Sequence, residues 1–291
     1  MEEENSGEPI LAALLTLSHT QFSNLARALA SDSLFRLHRL RGLLLSPSRF
    51  LRTLTYIESL SLPEKTHLIA RLLLRSLHRL THHFMYHGRA QSAGAFGGVQ
   101  DYDAGLLLFT LCQLSDSQRL RLAEASDWRG VVADHVAQEA LRFSGLGSGE
   151  WAVVAPYVDA VVKCRCFIEA AGDGREKGEG RAAAAASVVV SLGDAVVDGG
   201  GGGGGSGGGG RECVICKEEM MEACELPCSH VFHWICIARW LRKNNTCPCC
   251  RLELPTDDVF CEIRRLWKLV VARSRFDPRG DCNPKNPFNY S

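Results

Sequence analysis

The sequence predicts a mainly α protein in two unequal parts: an N-terminal helical bundle and, beyond a disordered glycine-rich linker, a small cysteine- and histidine-rich module followed by an amphipathic helix. Three observations predict it. Apolar residues recur every three or four positions from Ile10 to about Ala171. A tract of almost pure glycine, GGGGGGGSGGGG, then interrupts the chain. Beyond it, cysteine and histidine crowd into CVICKEEMMEACELPCSHVFHWICIARWLRKNNTCPCCR, from Cys213 to Arg251.

The first nine residues are expected to be disordered. The opening MEEENSGEPI is acidic, with no basic region before an apolar run and none of the Arg/Ser-rich, acid-poor character of an organelle transit peptide. It predicts a cytoplasmic chain whose thiols stay reduced. The 33 basic and 33 acidic residues cancel, so no bulk attraction to nucleic acid is expected.

Residues 10–171 read as a bundle of five or six helices joined by loops such as GRAQSAGAFGGVQDYDAG. Capping boxes mark starts at Ser18 with Gln21, Ser61 with Glu64 beside Pro63, and Ser115 with Gln118, and Gly88 and Gly145 are expected stops. His78 and His82, and His83 and His87, stand four apart and could meet a metal, but they sit among arginines and lack the glutamate of an HExxH helix. A solvated basic face is the plainer reading. Cys164-x-Cys166 falls in an apolar helix and reads as core. The arginines from Arg27 to Arg89, including Arg36, Arg39, Arg41, Arg71, Arg75 and Arg79, form either a basic docking face for an acidic partner or a membrane surface, or an ordinary solvated side balanced by acids after Asp101.

Residues 172–211 are expected to be a flexible linker, because glycine loses too much entropy on ordering to hold one conformation. AAAAASVVVSL, from Ala182, lies within it and reads as a short conditional helix or as no element. It is too short to span a membrane, which takes about 20 apolar residues.

The module at 212–255 offers Cys213-x2-Cys216, then Cys228-x-His230-x2-His233-x2-Cys236, then Cys247-x2-Cys250. That is enough thiolate and imidazole for two tetrahedral zinc sites. So short a segment cannot rest on an apolar core alone, and two zinc ions would supply the folding energy. Cys224 and Cys249 are left over; Cys249 is an alternative to Cys250, though Cys247-x-Cys249 would chelate more tightly than a usual zinc knuckle. A PHD finger would place one histidine after four cysteines, and a LIM domain would join two sequential modules. A lone knuckle or a disulfide framework stays open on cysteine count, against which stand CPCCR, the paired histidines and the lack of any secretion signal.

Residues 256–275 predict a helix. Thr256 is the expected cap, Asp257 and Asp258 suit the positive end of the dipole, and Val259, Phe260, Ile263, Leu266, Trp267, Val270 and Val271 form a stripe opposite Glu262, Arg264, Arg265 and Lys268. The stripe must be covered, by the rest of the chain or, less plainly, by a second copy or a partner. The tail 276–291, rich in Pro and Asn, is expected to be disordered.

The ligand order, with two histidines in the middle, resembles the RING-H2 zinc finger of ubiquitin ligases. The resemblance implies a cross-brace, with Cys213, Cys216, His233 and Cys236 on one ion and Cys228, His230, Cys247 and Cys250 on the other. It further implies an E3 ubiquitin transferase whose partners are a ubiquitin-conjugating enzyme (E2), ubiquitin and a protein substrate. Ile215, Trp240 and Pro248 match the positions that receive the E2, and Arg251 matches the arginine that bridges E2 and ubiquitin in active members. The rival function is a zinc-stabilised scaffold without ligase activity. The whole layout, starting at MEEEN and ILAALLTLS, resembles plant amyloplast-associated RING ligases of shoot gravitropism. That implies a place at the plastid surface reached through protein contacts, with the helical region recruiting a substrate, an organelle partner or a cytoskeletal partner.

Overall fold

The structure is a computed structural model, which describes residues 7–84, 98–115, 127–144, 149–172, 182–195, 212–220 and 223–275. The chain divides into two compact units, one of Met1–Gly88, Ala95–Gly174 and Leu266–Ser291, the other of Arg89–Gly94 and Arg175–Arg265.

The described residues of the first unit, up to Gly172, form seven α-helices: α1 (Glu8–Leu15), α2 (His19–Leu44), α3 (Pro47–Ser59), α4 (Leu62–Thr81), α5 (Val99–Ser115), α6 (Trp128–Ser144) and α7 (Glu150–Ala171). The sequence predicts five or six, and the start expected at Ser18 with Gln21 is present. There the backbone is extended, the Ser18 hydroxyl accepts the Gln21 N–H at 3.3 Å, and the Gln21 side chain accepts the Ser18 N–H at 3.0 Å. One apolar run is thus two helices. Glu64 accepts the Ser61 N–H at 2.8 Å in the same way at the start of α4. Gln118, Gly88 and Gly145 lie outside the described residues.

Helix α4 is central, packing against α5 and α7, while α2 packs against α6 and α7. Ile69, Leu73, Leu77 and Leu80, spaced along one face of α4, are all but fully buried. The arginines resolve into inward ion pairs. Buried Asp32 takes Arg36 at 2.7 Å and Arg75 at 3.1 Å and accepts the Tyr157 hydroxyl at 3.0 Å. Buried Asp103 takes Arg39 at 2.8 Å and Arg49 at 2.6 Å, and Asp101 takes Arg71 at 3.0 Å. Balance by acids therefore describes these five arginines, with Asp32 as a partner the sequence reading passes over.

The second unit holds α8 (Ala186–Val190), β1 (Gly193–Ala195), β2 (Ala223–Glu225), β3 (Val231–His233) and α9 (Trp234–Leu241). The three strands form one antiparallel sheet in the order β1-β2-β3, with Asp194 opposite Cys224 and Cys224 opposite Phe232. Residues 182–195 correct the linker reading. Val188 is 1 % exposed in one core with Phe232, Ile237, Leu241 and Leu254. Alanine, valine and leucine carry apolar surface that the glycines downstream lack, so this stretch can repay its ordering by burial.

The last helix, α10 (Val259–Ser274), starts in the second unit and ends in the first. Its cap is Asp258, whose carboxylate accepts the Cys261 N–H at 2.9 Å; Thr256, the expected cap, accepts the Asp258 N–H at 3.2 Å. Glu262 and Arg265 are buried rather than solvated, joined by two bonds of 2.6 and 2.8 Å, and Glu262 also accepts the Thr256 N–H at 3.1 Å. Farther along, Leu266, Trp267 and Val270 are buried, and the Arg165 guanidinium lies 3.8 Å from the Trp267 ring centre. Among the described residues no helix is long and apolar enough to cross a membrane.

Candidate metal centres

Two short hairpins of the same design carry the paired cysteines. In the first, the Cys213 N–H bonds the Glu218 carbonyl at 2.8 Å and the Lys217 N–H bonds the Cys213 carbonyl at 2.7 Å. In the second, the Cys247 N–H bonds the Leu252 carbonyl at 2.9 Å and the Arg251 N–H bonds the Cys247 carbonyl at 3.0 Å. Isolated bridges, Glu212 with Glu219 and Thr246 with Glu253, close each hairpin. Each turn needs a left-handed residue just after its second cysteine, and Lys217 (φ 64°) and Arg251 (φ 60°) fill those places. Ser229, between Cys228 and His230, is the third non-glycine residue at positive φ among the described residues, at 60°.

The remaining donors come from β3 and α9. Strand β3 ends on His233, and Cys236 follows in the first turn of α9. The fold brings Cys213, Cys216, His233 and Cys236 together in one cluster and Cys228, His230, Cys247 and Cys250 in a second, with the donor atoms of each within 4.8 Å of one another. The sets interleave along the chain. Cys249 is exposed and belongs to neither, and Cys224 is buried in β2.

The donor chemistry fits two zinc ions. Burial pushes the Cys213 thiol up, but hydrogen bonds from the backbone at Cys216, His233 and Ile215 outweigh that and hold it at about 6. Such a sulfur is a ready thiolate. Burial and neighbouring sulfurs push Cys228 to about 12 and Cys236 to about 11. Sulfurs so close cannot all ionise on their own, and a dication among them removes the conflict. His233 is oriented for the same task. Its Nε2 donates to the Glu219 carbonyl at 3.1 Å, which leaves Nδ1, 3.2 Å from the Cys216 sulfur, as the ligating nitrogen. Nδ1 of His230 likewise lies 3.3 Å from the Cys228 sulfur.

Ile215 stands in the first hairpin, Pro248 in the second and Trp240 in the last turn of α9. Ile215 and Trp240 are 36 % and 37 % exposed, and Pro248 is partly exposed. The Trp240 indole N–H donates to the Thr246 carbonyl at 2.7 Å, so the ring is fixed while part of it faces solvent. Arg251 is exposed beside Cys250. The Glu219 and Thr246 carbonyls are functional groups that residue types cannot reveal.

His78 and His82 join no such cluster among the described residues, and of the second pair the side chain of His83 and the whole of His87 lie outside them. Cys164 is buried, its thiol pushed up by that burial to about 12, and Cys166 is exposed.

The Ring finger domain family matches residues 211–251. The chain is 41 % identical to the E3 ubiquitin-protein ligase SGR9, amyloplastic, of Arabidopsis thaliana over 94 % of this chain and 98 % of that protein. It is 53 % identical over 58 residues to the E3 ubiquitin-protein ligase RNF181 homolog of Drosophila melanogaster, covering 19 % of this chain and 40 % of that one. It is also 52 % identical over 82 residues to the E3 ubiquitin-protein ligase AIP2 of Arabidopsis thaliana, covering 27 % and 26 %. No solved structure matches.

Proposed function

The chain belongs to the RING-type E3 ubiquitin-protein ligases, and from that premise we propose that its helical unit selects the substrate at the plastid surface while the RING sets a ubiquitin-loaded E2 in a reactive posture. Cys213, Cys216, His233 and Cys236 hold one zinc ion, and Cys228, His230, Cys247 and Cys250 the other. When bound, one ion would tie the first hairpin to His233 and Cys236, the other would tie the second hairpin to Cys228 and His230, and neither would supply a reacting group. Ile215, Trp240 and Pro248 receive the E2. Arg251 offers a planar fork of donors to carbonyls on E2 and ubiquitin together, which a lysine point charge could not match. The substrate amine attacks the thioester carbonyl, so that an amide bond to ubiquitin forms as the carbon–sulfur bond breaks and the E2 cysteine leaves as its thiol, and the gain in rate comes from holding that thioester in one orientation.

The observation that carries this reading is the pairing of a fixed but part-exposed Trp240 with an exposed Arg251 held at φ 60° beside a ligand. An arginine on so tight a turn has its backbone fixed by the second centre, which makes it a positioned donor. The near full-length likeness to an amyloplastic ligase supports the plastid location, and a role in gravitropism is part of the same proposal. The test of place is protease treatment of intact plastids carrying a tagged full-length chain. Loss of the tag supports the outer surface; a protected tag contradicts it.

A further inference from the structure

The family match begins at residue 211, yet the second unit contains residues 182–195 as well. Three consecutive backbone N–H groups tie that segment down. Ala184 donates to the Leu241 carbonyl at 2.9 Å, Ala185 to the Pro255 carbonyl at 2.8 Å, and Ala186 to the Asp257 carboxylate at 3.3 Å. Leu241 is the last residue of α9, so its carbonyl has no partner within the helix, and Ala184 supplies one. Val188 is buried under the same helix core, and β1 adds a third strand to β2.

We propose that residues 182–195 are a positioning brace for E2 docking, an obligatory part of the working RING. The brace grips the end of α9 one residue beyond Trp240 and ties it to Pro255 and Asp257, in the segment that follows the second hairpin. Thr246, which anchors the Trp240 indole, lies between those two grips in the chain and is bridged to Glu253. Without the brace α9 keeps the candidate zinc ligand of its first turn, Cys236, but its last turn loses the constraint on the side chain that meets the E2. The proposal rests on the reading of Trp240 as an E2 contact.

The experiment uses the full-length chain and, as probe, whichever E2 of a panel the wild type discharges fastest. Ala185→Pro is the mild variant: Ala185 already has φ −58°, so proline fits and removes only the N–H given to Pro255. Val188→Ser is the stronger one. Three quantities are read: bound zinc per chain, E2 affinity, and hydrogen exchange of the Trp240 indole. We expect both variants to keep two zinc ions, E2 affinity to fall about threefold for Ala185→Pro and about tenfold for Val188→Ser, and the indole to exchange faster. Unchanged affinity and exchange in both variants overturn the brace. Zinc lost in step with affinity overturns it too, since the segment would then stabilise the whole module without positioning. Exchange that rises while wild-type and variant chains bind the E2 equally leaves the brace standing and refutes Trp240 as the contact.

Discussion

Arg251 concentrates the residue-scale account. It is exposed, it follows a candidate ligand, and its left-handed backbone is held by the Cys247 carbonyl. Arg251→Ala keeps that turn and removes only the donors, so zinc content should stay at two per chain while ubiquitin discharge slows about 10- to 100-fold, the worth of charge-assisted hydrogen bonds. Trp240→Ala should weaken E2 binding by about tenfold or more with zinc retained, read by titration calorimetry. Cys216→Ala removes a ligand and should cost several kcal/mol of metal-linked folding, on the order of half a zinc site or more, seen as loss of one zinc and of cooperative unfolding. The eight donors were legible in the sequence because few residue types bind zinc and their spacing is narrow. The left-handed turns at Lys217 and Ser229, and the Glu219 carbonyl behind His233, were not, because backbone geometry leaves no mark on residue identity.

At the scale of elements, the buried Asp32 cluster joins α2, α4 and α7. Burial opposes its charge, but Arg36 and Arg75 outweigh burial and hold the Asp32 carboxyl below its ordinary 3.8. A lowered carboxyl stabilises the fold fully above its ordinary value, and that contribution disappears as pH falls through the lower folded value. Thermal stability of the helical unit should therefore fall below about pH 4. Asp32→Asn should destabilise it by about 3 kcal/mol at neutral pH by removing the buried carboxylate charge that Arg36 and Arg75 both pair with, and should flatten the acid limb of the profile. Gly105 in α5 gives a milder case: an added Cβ would meet the Leu68 carbonyl at an ordinary 3.4 Å. Gly105→Ala should thus be neutral or stabilise by up to about 1 kcal/mol through helix propensity. The helices were legible from their 3.6-residue period and their capping serines. Helix α8 and strand β1 were not, since five and three residues carry no readable period and their partners are remote, Asp257 lying 71 positions from Ala186.

For the whole molecule, the two units respond to different agents. Chelation of zinc should unfold the RING and leave the thermal transition of the helical unit in place, which differential scanning calorimetry with and without chelator would separate. That the chain has two units was legible from composition, since glycine separates a leucine-rich region from a cysteine-rich one. The boundary was not, because β1 pairs across that glycine tract and α10 begins in one unit and ends in the other. Cutting between the units should therefore be made before Ala182, with the fragment beginning there retaining E2 binding that a fragment beginning at Arg211 loses in large part. The most direct test of the central claim is single-turnover discharge of ubiquitin from a loaded E2 to free lysine, with zinc quantified on the same samples. The account predicts that the wild-type chain with two zinc ions accelerates discharge, and that Arg251→Ala with the same two ions is about 10- to 100-fold slower. A zinc-loaded wild type that accelerates discharge with no E2 of a broad panel, or an Arg251→Ala chain as fast as wild type, would contradict it.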